Sequence, residues 1–400
     1  MAAREKARRG AAPESAASVR AKKKFRVFSV RGGMDLPFLF LVLVLVVIGL
    51  IMMFSASYAN ASYYMDDSYF YIKRQAVFAV IGIFVMIVLS YFDYHHFHKF
   101  AVPVLVLSIA LLGLVLVTPA INGVHRWLRL GPLGQLQPSE VAKFALILLF
   151  AHLISLNFSR MNTFRYGVLP YILILAPVCA LLIKEPHISA TVIVLLLSAI
   201  MLFIGGVKLR WFGLGFGLAG SALVYLVRFS GKVEYANWRI AAWLDPFSKA
   251  SKEIVDKTYQ TRQSLYATGS GGLLGLGLGQ SRQKYLYLPE PQNDFIFAIV
   301  CEELGFLGAL IIIILFAMLV WRGVSISLHA KDKFGMLLGT GLVVQVGLQV
   351  VLNIAVVTNT IPNTGISLPF FSYGGTSLVI LLAEMGIVLS ISRTSSVEKT

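Results

Sequence analysis

Ten apolar, nearly charge-free runs recur along this chain of 400 residues, at about 36–55, 75–92, 101–121, 144–159, 167–183, 188–206, 211–227, 295–321, 335–357 and 371–391. About 30 Å of hydrocarbon takes roughly 20 residues of helix to cross, and inside it a backbone satisfies its polar groups only as a helix or a closed barrel. Barrel strands are shorter and alternate apolar with polar residues, whereas Leu41–Ile51 and Leu310–Phe316 are almost continuously aliphatic. The runs therefore predict an all-α integral membrane protein of ten transmembrane helices. Composition agrees, with 57% hydrophobic and 14% charged residues against about a quarter charged in an ordinary globular chain. The first run is long and lacks a small-residue cleavage site, so it reads as a span and not as a removable secretion signal.

Lysine and arginine near the span ends set the orientation. Ten of them fall in the first 35 residues, and Arg160, Arg165, Lys208, Arg210, Arg322, Lys331 and Lys333 occupy short loops on the same side of the pattern. That side is expected to be cytoplasmic, with both termini on it. Three parts follow: a basic tail at 1–33, too poor in apolar residues to bury a core, a membrane domain at 34–392, and a short tail at 393–400. The one long interruption, 228–293, lies between helices 7 and 8 and is expected to be extracytoplasmic. At about 65 residues it far exceeds a simple helix connection. Its Trp238, Trp243, Tyr259 and Tyr266 suit a membrane interface, so it is expected to be partly ordered.

The net charge of +16 does not indicate a nucleic acid partner, because much of it sits in the tail, where attraction to anionic membrane lipids is the ordinary reading. Cys179 and Cys301 both lie in apolar runs, which points away from a disulfide framework or a cysteine metal site.

Several polar groups stand where a membrane chain would avoid them without cause. Asp294 immediately precedes the eighth run, which suits either a helix cap or an ionisable group at the boundary between water and hydrocarbon. Glu140 and Lys143, three apart in QPSEVAK, meet on one helix face either as an ion pair or as a carboxylate and an ammonium aimed at an outer cavity. Lys184 and Glu185 in KEPHISAT pair with each other or line a polar cavity. Glu302, Glu303 and Glu384 fall inside runs, where a charged group is costly and often marks a proton or ion route; they are the main argument for a transporter. The glycine series GSGGLLGLGLG lacks the lysine and the strand–helix context of a phosphate loop and reads as close packing or a hinge. His95, His96 and His98 in DYHHFHKF read as polar interface residues in preference to metal ligands.

Taken together, NGVHRWLRLGPLGQLQPSEVAK, KEPHISAT, WLDPF, QSLYATGSGG, GLGQSRQKYLYLPEPQNDFIFAIVCEELG and IPNTGISLPFFSYGGTS resemble the blocks of the SEDS family (shape, elongation, division and sporulation), in the family's order and over nearly the whole chain. The SRQKYLYLPEPQNDFIFA wording is closer to the family's division (FtsW) and sporulation (SpoVE) members than to its elongation member (RodA). The resemblance implies a ten-helix peptidoglycan glycosyltransferase of the bacterial cytoplasmic membrane that polymerises lipid II at the outer face, inverting, with undecaprenyl diphosphate as leaving group, in cell division. The alternatives are a lipid II flippase or transporter, or the same polymerase serving elongation or sporulation.

Carried over by residue, the resemblance matches Asp294 to the family's essential aspartate, and Arg126, Glu140, Lys143, Lys184 and Glu185 to its charged blocks; the acceptor hydroxyl needs a base, and Asp294 is assigned that role. Arg239, Gln263, Ser264, Arg282, Lys284 and Ser372 complete the expected substrate-binding set. The cations would stabilise phosphate charge, and a divalent cation, Mg or Mn, would share that task. The implied partners are lipid II, the nascent glycan strand, a class B penicillin-binding protein and divisome proteins. At His187 the chain departs from the family, which carries an acid there.

Overall fold

Nine of the ten expected runs become helices in the structure, a computed structural model that describes residues 32–119, 124–129, 131, 134–215, 217, 243–248 and 252–395. Most of the expected span at 211–227, most of both tails, Trp238 and Arg239 lie outside the described residues. The apolar helices are α1 (Leu36–Met65), α2 (Phe70–Tyr91), α3 (Phe97–Val117), α4 (Pro138–Asn157), α5 (Leu169–Lys184) and α6 (Ile188–Ile204). After the long loop, which contributes an amphipathic α7 (Lys252–Ser270), come α8 (Ile296–Leu328), α9 (Lys333–Val357) and α10 (Gly375–Thr394). Among the described residues eight helices are long and apolar enough to cross a membrane, and α6 is a shorter apolar helix.

Local chemistry sets the ends. Asp35 caps α1 by accepting from the Phe38 amide at 3.0 Å, and Pro37 occupies the first turn, where its missing N–H costs nothing. Asp332 caps α9 through the Phe334 and Gly335 amides at 3.1 and 3.2 Å. The same end of the bundle is tied by Arg322, which grips Asp35 with Nε and Nη2 at 2.8–3.1 Å. Helix α1 runs on to Met65, ten residues beyond its expected end. Its last turns are polar and aromatic, and a hydropathy reading gives them no reason to be helical.

Helices α4, α9 and α10 are the most buried spans, while α2, α3, α5 and α8 present most of their surface outward. The principal packings are α2 on α10, α8 on α9, α3 on α4 and α1 on α8. A two-stranded hairpin, Leu128–Arg129 against Gln135–Leu136, sits at the end of the bundle where α4 and α10 begin, and Thr376 donates to the Gln135 carbonyl there.

Helix α8 is not continuous. Gly305 has φ 66° and ψ −170°, a conformation that costs glycine little, and the glycine segment after α7 enters the gap. The amides of Leu276 and Gly277 donate to the carbonyls of Glu302 and Glu303 at 3.0 Å each, and those of Phe306 and Leu307 to Gly272 and Leu273 at 2.9 and 3.1 Å. A Cβ on Gly275 would lie 2.1 Å from the Glu303 carbonyl oxygen, so only glycine permits this approach. The expectation of close packing for the glycine series describes what the segment does.

Candidate active site

Asp294 is the last residue but one before α8. It is not the cap: Phe295 occupies that position and no side chain bonds the first amides. The Asp294 backbone is instead held by its neighbours. Asn353 on α9 donates Nδ2 to the Asp294 carbonyl at 2.8 Å and to Ile366 O at 2.6 Å, and Ser372 donates to the Asn293 carbonyl at 2.7 Å while accepting from the Leu368 amide at 2.8 Å. The Tyr373 amide reaches Gln292 O at 2.8 Å. The carboxylate itself rests on Gly365, where an added Cβ would lie 3.0 Å from Oδ2, and the residue is mostly buried.

Burial pushes the Asp294 carboxyl up to about 6; Arg126 pulls against that rise and Glu290 adds to it. Arg126 comes from the segment before the hairpin. It donates Nη2 to Pro186 O and Nε to Glu185 O at 3.5 Å, which brings the KEPHISAT block to Asp294. Burial lowers the Arg126 guanidinium from its usual range, with Asp294 and Glu185 acting in the opposite direction.

Glu185 is fully buried and neither of its carboxylate oxygens has a partner. Burial carries it up to about 7, moderated by Arg126. Lys184 is exposed, so the two adjacent charges do not pair. His187 is buried, and burial, Arg126 and Lys143 together bring it down to about 3, a neutral imidazole. Position 187 thus adds no charge beside Arg126 and Lys143.

Lys143 is 2% exposed and bonds Glu140, 15% exposed, at 2.8 Å. The ion pair expected from the spacing forms, and electrostatics link it through His187 to Arg126 and Asp294. Asp294, Arg126, Glu185, His187, Lys143 and Glu140 therefore form one constellation at one end of the bundle.

The other expected site residues are dispersed. Lys284 lies apart from this constellation. It is buried, its Nζ bonding Glu303 at 3.0 Å, Ser55 at 3.1 Å and the Gly279 carbonyl at 2.6 Å, because the glycine segment carries it down to the break in α8. Glu302 accepts from the Ser281 hydroxyl and from the Arg282 and Gln283 amides at 3.0 and 3.4 Å. Glu303 accepts from Ser55 at 2.7–2.8 Å and from the Ser281 amide at 3.3 Å. These two acids, read from sequence as an argument for transport, bind the loop.

Arg282 is exposed and lines a groove with Gln283, Tyr285 and Tyr287. Ser264 is buried and donates to Val357 O at 3.0 Å, holding α7 to α9; Gln263 beside it is half-buried. Ser372 serves the backbone clasp under Asp294. Glu290, Asn353 and Gly365 were not singled out from sequence, since their parts depend on contacts between distant segments. The IPNTG wording around Gly365 was the available signal. Among the described residues no group of three or more His, Cys, Asp or Glu side chains is arranged to hold a metal.

A family model described as cell cycle protein, covering FtsW, RodA and SpoVE, matches residues 36–397. The chain is 40% identical over 366 residues to stage V sporulation protein E of Bacillus subtilis (strain 168), across 90% of this chain and 97% of that protein. It is 39% identical over 365 residues to the probable peptidoglycan glycosyltransferase FtsW of Geobacter sp. (strain M18), again across 90% and 97%. Among solved structures it is similar to a chain of a peptidoglycan synthase complex studied for the coordination of polymerization and crosslinking, with TM-score 0.72, 28% identity, and coverage of 90% of this chain and 98% of that one. The rod shape determining protein RodA of Thermus thermophilus matches with TM-score 0.66 and 27% identity, over 92% of this chain and 99% of that one.

Proposed function

The chain belongs to the cell cycle protein family of FtsW, RodA and SpoVE, and from that membership we propose that it is a peptidoglycan glycosyltransferase polymerising lipid II at the outer face of the bacterial cytoplasmic membrane in cell division. The observation that carries the chemical reading is Asp294: a carboxyl that burial shifts to about 6, within electrostatic reach of Arg126. A general base works best with a pKa near the working pH. The proposed topology has ten spans, with 228–293 outside and both termini inside.

A sugar on a lipid diphosphate already has a good leaving group. Asp294 takes the proton of the acceptor hydroxyl as that oxygen attacks the anomeric carbon from the face opposite the diphosphate. The carbon–oxygen bond to the diphosphate breaks, the anomeric configuration inverts, and undecaprenyl diphosphate departs. Arg126 and Lys143 receive the phosphate charge, with Lys184 and Arg282 as exposed cations on the approach. General-base assistance of this kind is worth about 10² to 10⁴-fold, and fixed charges aimed at developing negative charge add to it. A divalent cation, Mg or Mn, would accompany the diphosphate and neutralise part of its charge. The described His, Cys, Asp and Glu side chains supply no cage for it.

A class B penicillin-binding protein is the proposed crosslinking partner, with divisome proteins and membrane lipids around it. A lipid II polymerisation assay on purified protein, with and without a candidate transpeptidase, tests the function. Glycan strands formed in detergent, where nothing is transported, support a polymerase over a flippase. No strands under either condition would remove the reading.

A further inference from the structure

Glu384, the third intramembrane acid, is used by none of this chemistry. It lies within α10 at 1% exposure, and its Oε2 accepts from Nε2 of Gln345 on α9 at 3.1 Å. Two oxygens of this pair remain without partners: Glu384 Oε1 and Gln345 Oε1. An unsatisfied buried polar atom is costly, and two of them on groups already joined by one hydrogen bond form a pattern. A single proton answers both, since a carboxylic acid donates through its second oxygen to the amide oxygen that lacks a donor.

Charge balance points the same way. The charged groups that act on Glu384 are Lys143 and Glu140, both from α4 and already joined at 2.8 Å. From α9 comes the uncharged Gln345, the face that α2 buries (Gln75, Ala79, Gly82, Met86 and Ser90) carries no charge, and on α8 Glu302 and Glu303 are engaged by Ser55 and the 281–284 segment. One cation and one carboxylate cancel. A second carboxylate charge in the same hydrocarbon-flanked core would have no counter-ion, at a cost of kilocalories.

We infer that Glu384 is a neutral carboxylic acid in a reciprocal pair with Gln345, and that this neutrality makes it a positioning residue for Lys143. An ionised Glu384 would compete with Glu140 and the diphosphate for the ammonium of Lys143. A neutral one ties α9 to α10 and leaves that cation to Glu140 and to the diphosphate. The positioning role rests on the glycosyltransferase reading; the protonation state does not.

Infrared difference spectra of the full-length protein in detergent, taken against Glu384→Gln, read the protonation state without turnover. The expected result is an acid carbonyl band at neutral pH that the variant lacks; a carboxylate band in its place overturns the inference whether or not polymer forms. Thermal melts test the pair. Glu384→Leu strands the Gln345 amide and lowers the melting temperature, and adding Gln345→Leu restores it, because removing both partners is far cheaper than removing one. No recovery overturns the reciprocal pair.

The pH profile of polymer formation tests the positioning. Glu384→Gln, a permanent neutral mimic, matches the natural protein at neutral pH and outlasts it under alkaline conditions, its advantage growing about tenfold per pH unit once the acid has ionised. An equal alkaline fall in both proteins overturns the positioning role. If the natural protein makes no polymer at all, the glycosyltransferase reading falls while the infrared result still decides the pair.

Discussion

The mouth of α8 and the break a few turns below it carry the same functional group in opposite circumstances. At the mouth, Asp294 is held by its backbone while its carboxylate is left to burial and to the opposed charges of Arg126 and Glu290. At the break, Glu302 and Glu303 are met by two hydroxyls, three amides and an ammonium. Hydrogen bonds to the ionised form hold a carboxylate charged, and desolvation without them favours the proton. A base needs the first residue's circumstances; a structural clamp needs the second's.

The largest expected effect comes from the clamp. Lys284→Met leaves Glu303 without its cation in a buried setting, and breaking such a pair costs about 3–5 kcal/mol. The expected outcome is a marked fall in melting temperature and in yield of folded protein. A protein that melts normally but makes less polymer would move Lys284 from the clamp to the chemistry and erase the contrast.

Asp294→Asn should do the reverse. It retains the folded bundle and lipid II binding and slows polymerisation at least about a hundredfold, measured with thermal stability on the same preparation. Near-normal polymer formation would end the assignment of the base.

The pH profile sharpens the same point. Asp294 acts only when ionised, so the rate should fall as pH drops through about 6, by about tenfold per unit below it. A limb near the ordinary aspartate range would mean that the carboxyl is better solvated than its surroundings indicate. The smallest effect expected is that of Ser372→Ala, which removes one strut beneath Asn293 and costs about 1 kcal/mol, with a several-fold loss of rate at most.

The contrast was only half legible in the sequence. Hydropathy and length locate the spans, and the wording of the blocks points to Asp294, Glu140 and Lys143, because these signals are local. In the sequence Lys284 stands among the cations that would stabilise phosphate charge, and nothing local marks it as buried. Its partner Glu303 stands nineteen residues on and meets it only because glycines let the chain descend beside α8. Asn353 and Gly365 act on Asp294 across the bundle, a relation that spacing does not encode. The helical end of α1 and the helix within the long loop were missed for a plainer reason: their sequences are polar or aromatic, and tertiary contacts decide their form.

The interruption at Gly305 divides α8 into two members with separate duties. From residue 306 to Leu328 the lower member is about 35 Å long at 1.5 Å per residue, enough by itself to cross about 30 Å of hydrocarbon. The upper member, from Ile296 to the interruption, is therefore released from spanning. Every residue from Ile296 to Glu303 is buried, and its lower end is fixed by the contacts of Glu302 and Glu303, so this short member serves as a bracket that sets the depth at which Asp294 stands.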